Sequence, residues 1–120
     1  MKPTILIVDD ATSLRGMIKQ MLTSLGFHVL EASNGAEAIE SYQTYKPDLI
    51  TMDLYMPEMN GMDALKKIKE FDPSAKVVMC SSYANSTTMI EAIHAGAKDF
   101  VLKPFRETSL LETIKKQLAL

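Results

Sequence analysis

The sequence predicts an α/β fold: a doubly wound parallel sheet of five strands with five helices packed on its faces. Three observations carry that expectation. Five short β-favouring runs alternate with five segments whose apolar residues recur at intervals of three and four. The clearest runs are continuously apolar, as in strands covered on both faces. Strict strand–helix alternation joined by right-handed crossovers then leads to a parallel sheet.

Ile5-Leu6-Ile7-Val8 is the first run. After the turn Asp9-Asp10-Ala11-Thr12, the residues Leu14, Met17, Ile18, Met21, Leu22 and Leu25 share one helical face. Gly26 sits where a left-handed cap is wanted. His28-Val29-Leu30-Glu31-Ala32 is a weaker, more polar strand suited to a sheet edge. Asn34 reads as the N-cap of a helix that turns Ala38, Ile39 and Tyr42 inward and ends at Lys46-Pro47. Leu49-Ile50-Thr51-Met52 is a strand ending at Asp53. A loop with Pro57 and Gly61 leads into a helix through Ala64, Leu65 and Ile68, closed before Asp72-Pro73. Residues 76–80 form a strand ending at Ser81, and residues 86–95 place Met89, Ile90 and Ile93 on one face before Gly96. Phe100-Val101-Leu102 is the last strand, ending at Lys103; Leu110, Leu111, Ile114 and Leu118 mark the last helix.

At 120 residues and 47% hydrophobic the chain is expected to be one domain, 1–120, with a sizeable core. The one cysteine, Cys80, excludes an internal disulfide framework, and with two histidines it excludes a structural zinc site. A formal net charge of −2 argues against nucleic acid as the main partner. The longest apolar runs are far too short to span a bilayer, and the first residues lack a signal-peptide layout. A cytoplasmic address, without membrane or nucleic-acid partners, is expected.

In doubly wound sheets ligands bind beyond the carboxyl ends of the strands. There the sequence gathers Asp9 and Asp10, Asp53, Ser81 and Lys103-Pro104 from four different strands. A single acidic residue in such a loop commonly caps a helix. Three together are different, because two carboxylates about 4 Å apart repel by roughly 4 kcal/mol at an effective dielectric of 20. Lys103 supplies one compensating charge, and a hard divalent ion such as Mg²⁺ is the natural source of the rest. One carboxylate, Asp53 on the central strand, is then free to carry a phosphoryl group as an aspartyl-phosphate. Asp9 and Asp10 would hold the ion, with Ser81 and Lys103 binding phosphoryl oxygens.

ILIVDD, DLITMDLYMPEMNG, VVMCSS and AGAKDFVLKPF, taken in order, resemble the receiver domains of two-component response regulators, and most closely the single-domain chemotaxis regulators among them. The resemblance covers the whole chain. It implies a flavodoxin-like, CheY-like sheet of order 2-1-3-4-5, with Asp53 taking a phosphoryl group from a histidine-kinase phosphohistidine. It implies Mg²⁺, with Mn²⁺ as an alternative, ligated directly by Asp10, mainly through water by Asp9, and by Asp53 and the backbone carbonyl of Tyr55. Ser81 would be the hydroxyl that swings toward the phosphoryl group and Lys103 its ion partner. Phe100 matches the family's switch aromatic, often Tyr, and a cis bond would join Lys103 to Pro104.

The implied protein is a signalling module rather than an enzyme, catalysing only its own phosphorylation and dephosphorylation. Its partners would be a CheA-like sensor histidine kinase and a downstream target: a flagellar motor switch protein, a phosphatase or a relay protein. The docking face would be the fourth helix, fifth strand and fifth helix, including Ile90, Lys98, Phe100 and Lys103. Without an output domain, action by docking is expected, as a monomer or a phosphorylation-dependent dimer. A single-domain phosphorelay intermediate, or a receiver for another pathway, is the alternative.

Two other classes fit poorly. A haloacid-dehalogenase-like phosphatase needs a second Asp where Tyr55 stands, and an FMN-binding module would not place Asp9-Asp10 in its phosphate loop. Tyr55 and Tyr83, each two residues beyond a site residue, read either as loop aromatics or as groups that flank the path of attacking water and slow dephosphorylation. Met17, Met21, Met52 and Met79 fit core positions. Met56, Met59 and Met62 lie near the site loop, where partner contact is an alternative. Cys80 is expected to be an inert packed thiol, and His28 and His94 to lie away from the site.

Overall fold

Ile5, Leu6, Ile7 and Val8 are all buried although neighbours on a strand point to opposite faces, so the sheet is covered on both sides. Ile5 and Ile7 pack with Leu49, Val78, Ile18, Leu22, Leu110 and Ile114. Leu6 and Val8 pack with Ile50, Met52, Val77, Met79, Ala38, Tyr42, Leu65 and Ile68. Burial of large side chains on both faces is the main stabilising term, worth roughly 1.5–3 kcal/mol per aliphatic side chain.

The computed structural model describes residues 2–82 and 85–120. Its elements run β1 (Thr4–Val8), α1 (Thr12–Ser24), β2 (His28–Ala32), α2 (Gly35–Tyr45), β3 (Leu49–Asp53), α3 (Gly61–Phe71), β4 (Val77–Ser81), α4 (Ser86–His94), β5 (Asp99–Leu102) and α5 (Glu107–Leu118). The strands form one parallel sheet in the order β2-β1-β3-β4-β5, with α1 and α5 contributing to one core cluster and α2, α3 and α4 to the other. The polar strand β2 takes an edge, as its composition predicts.

The punctuation has physical causes. Asn34, Asn60 and Asn85 cap α2, α3 and α4, each side-chain oxygen accepting the backbone N–H three residues on. Gly26 and Gly96 follow α1 and α4 at φ +94° and +109°, where a side chain would be strained.

One expectation changes in the structure. Met17, read as core, is half exposed: it lies beside the groove between α1 and the β5–α5 loop, while Ile18 and Leu22 fill the interior. On α4, the face carrying Ile90 and Ile93 points to water, at 55% and 48% exposure, and only Ala92 of that helix is buried. Among the described residues no helix is long and apolar enough to cross a membrane.

Candidate functional site

Register brings the site together. Val8 pairs with Met52, so Asp9 and Asp53 are the next residues on adjacent strands. Asp53 in turn pairs with Cys80, one residue before Ser81. Ser81 pairs with Leu102, and the next amide, that of Lys103, donates to the Ser81 carbonyl at 2.7 Å. Strand order reverses between β1 and β3, the switch point at which such sheets hold ligands.

The Asp9, Asp10 and Asp53 carboxylates each place an oxygen within 4.8 Å of the others. Asp9 and Asp53 are buried and Asp10 is exposed. Lys103 reaches in from the β5 side, its Nζ 2.6 Å from Asp9 Oδ2 and 3.4 Å from Asp53 Oδ1. Both Asp9 oxygens are engaged, because the Ala11 amide donates to Oδ1 at 2.8 Å. Of the three, Asp10 is the one exposed to solvent, while Asp53 is buried with its Oδ1 turned to Lys103.

Burial pushes the Asp53 carboxyl up to about 6; Lys103 pulls it down, and Asp9 and Asp10 push it further up. Burial disfavours the Lys103 ammonium, but hydrogen bonding and charge from Asp9 and Asp53 outweigh that and hold its pKa above the usual lysine value. Among the described residues Lys103 is the cation that pairs with these carboxylates, through Asp9 and Asp53, and the remaining negative charge calls for a further cation. Oxygen donors alone suit Mg²⁺, whose ligands lie at about 2.1 Å, so opposite ligands are about 4.2 Å apart. A 4.8 Å cluster fits such an ion with part of its shell supplied by water.

Over residues 5–115 the sequence matches the response regulator receiver domain family. The chain belongs to that family. It is a receiver domain of a two-component response regulator, similar to the chemotaxis protein CheY of Bacillus subtilis, 53% identical over 95% of this chain and 96% of that protein. The CheY of Thermotoga maritima is 50% identical over 93% and 94%. Among solved structures, a CheY-like receiver domain from Methanospirillum hungatei superposes with a TM-score of 0.96 at 31% identity, covering 99% of this chain and 95% of that one. The CheX–CheY–BeF3–Mg+2 complex from Borrelia burgdorferi gives 0.91 at 32% identity, covering 96% and 88%.

The structure places the remaining residues that the sequence singled out as follows. Ser81 is buried at the end of β4. The Lys103–Pro104 bond is cis. Phe100 is half-buried on β5 and packs against the core cluster shared with α2 and α3. Tyr55 is 53% exposed at the rim, and Tyr83 lies outside the described residues. Met56 and Met59 are partly buried against the core, and Met62 is buried. Cys80 is buried and its thiol is pushed up to about 12 by that burial, so it stays protonated and inert.

Two residues to which the sequence reading gave no site role also shape the site. A Cβ on Gly61 would run into the backbone carbonyl of Asp53, so only glycine lets α3 start against the end of β3. Arg15 donates to the Asp9 carbonyl. The Pro57–Gly61 loop offered a signal for the first, but a basic residue on a helix offers none for the second.

Proposed function

We propose that this receiver domain works as a chemotaxis-type phosphorylation switch in which Asp53 accepts a phosphoryl group from the phosphohistidine of a CheA-like sensor kinase. The observation that supports it most is the convergence of Asp9, Asp10, Asp53 and Lys103 at the switch point of the sheet. An Asp53 oxygen forms the new O–P bond as the donor's P–N bond breaks. The bonding pair leaves on the imidazole nitrogen, which takes up a proton. With a pKa near 6, Asp53 is ionised and nucleophilic at neutral pH.

Asp10, Asp53 and the backbone carbonyl of Tyr55 would hold Mg²⁺ directly, and Asp9 mainly through water, since its oxygens already serve Ala11 and Lys103. When bound, the ion supplies neutralisation of the phosphoryl oxygens. Lys103 moves from Asp53 to one of those oxygens, and the Ser81 hydroxyl donates to another. That shift biases Phe100 toward the interior, selecting a second arrangement of the surface.

The surface is α4, β5 and α5, where Ile90, Ile93 and Leu102 are exposed beside Lys98 and Phe100. Its partner would be a flagellar motor switch protein, a phosphatase or a relay protein. The Borrelia burgdorferi relative, solved as a complex with CheX, supports docking to another protein.

Incubation with acetyl phosphate, with and without Mg²⁺, tests the reading by intact mass. One phosphoryl group should add to the wild type only with Mg²⁺, and none to Asp53→Asn. Equal addition to both proteins would overturn it.

A further inference from the structure

The Asp9 corner is tied at every polar group. Its amide donates to the Ala32 carbonyl at 3.1 Å, and its carboxylate accepts from Ala11 and Lys103. Its carbonyl oxygen accepts from Arg15 Nη1 at 2.5 Å. Arg15 stands in the first turn of α1, yet its side chain is only 15% exposed, because it is folded back over the β1–α1 turn toward β2. There its Nε donates to Glu31 Oε1 at 3.0 Å, while Lys19 holds the other Glu31 oxygen at 3.2 Å. Burial pushes the Glu31 carboxyl up, but hydrogen bonds and charge from Lys19 and Arg15 outweigh it, so Glu31 is a firm anion.

The guanidinium is a rigid planar fork, and here it bridges a strand and a turn. Glu31 sits one residue before Ala32, so β2 grips Asp9 twice, at its amide directly and at its carbonyl through Arg15. The carbonyl of Asp9 and the amide of Asp10 share one peptide plane. Fixing that oxygen fixes the plane from which the exposed Asp10 side chain departs. Asp10 needs this, since among the described residues its carboxylate has no donor to aim it.

We propose that Arg15 is a positioning residue for the acidic rim: clamped by Glu31, it sets the Asp9–Asp10 peptide plane so that the Asp10 carboxylate faces the Asp53 oxygens. The consequence for cation uptake rests on the divalent-ion reading above; the consequence for the backbone does not.

Charge and geometry predict opposite signs. Were Arg15 only a nearby positive charge, removing it would tighten a divalent cation. As a positioning group its loss loosens the site, and outer-shell partners of ligands are worth about tenfold or more in metal affinity. The test uses Arg15→Ala and Arg15→Lys, with Mg²⁺ titrations followed by amide NMR and amide hydrogen exchange on the metal-free proteins. Arg15→Ala should bind Mg²⁺ about tenfold more weakly while its acetyl-phosphate labelling rate at saturating Mg²⁺ keeps the wild-type value. Arg15→Lys, which keeps the charge but cannot span both partners, should also bind more weakly. In both variants the Asp9 and Ala11 amides should exchange faster while those of Leu6 and Ile50 do not.

Unchanged or tighter Mg²⁺ binding by Arg15→Ala, or wild-type affinity in Arg15→Lys, overturns the proposal. If the wild type itself takes up no Mg²⁺, the divalent-ion reading falls, and the exchange data still decide the role of Arg15. Unaltered protection at Asp9 and Ala11 then overturns it.

Discussion

Replacing Asp53 by Asn removes a charge that the fold tolerates at a cost. Burial, with Asp9 and Asp10 adding to it, lifts the Asp53 carboxyl to about 6 despite Lys103. In the unfolded chain an aspartate titrates near about 3.9. The native state therefore holds the Asp53 proton more tightly, and ionising it costs stability as pH rises from about 4 to about 6. A difference of about 2 units corresponds to roughly 3 kcal/mol lost by neutral pH. Asn keeps the shape without the charge but leaves Lys103 with one carboxylate fewer, so a net gain of about 1–3 kcal/mol is expected. Urea unfolding in a chelator at neutral pH and near the lower end of that window gives both numbers. Asp53→Asn should be the more stable protein at neutral pH, with the advantage shrinking as pH falls and Asp53 is neutralised in the wild type. An Asn variant no more stable at neutral pH, or one whose advantage ignores pH, would refute the electrostatic account of this site.

Gly61→Ala should lose about 1–3 kcal/mol in urea unfolding, the usual cost of forcing extra atoms into a packed contact, because the new methyl meets the Asp53 carbonyl. Wild-type stability would show that α3 can back away from β3 freely. If the exposed Tyr55 ring, two residues beyond Asp53, flanks the path of attacking water, Tyr55→Ala should shorten the lifetime of the aspartyl-phosphate. An unchanged hydrolysis rate would leave Tyr55 as a loop aromatic.

The fold was legible because four of the strands declare themselves by largely apolar runs and each helix by its period. Ile5-Leu6-Ile7-Val8 has no polar alternate because α1 and α5 cover one face and α2 and α3 the other. The polar edge strand β2 was readable for the converse reason, as His28 and Glu31 face water. Asp9, Asp10, Asp53 and Lys103 could be assembled from sequence because each is the last residue of a strand or lies one or two beyond it, and parallel strands end on one rim. Periodicity says which residues share a face, not whether that face is covered. Met17 keeps the helical spacing of its buried neighbours Ile18 and Leu22, yet it lies at the edge of the groove between α1 and the β5–α5 loop and stays half exposed. Arg15 was illegible because its role depends on long side-chain reach to Asp9 and to a different strand, which local spacing does not encode.

Mn²⁺ taken up by the metal-free protein, followed through loss of the free-ion electron paramagnetic resonance signal, tests the cation site without relying on phosphorylation. Wild type should bind one ion per chain, release it to Mg²⁺, and lose the site in Asp10→Asn. Full signal retained with wild type at millimolar protein, or equal uptake by Asp10→Asn, would contradict it.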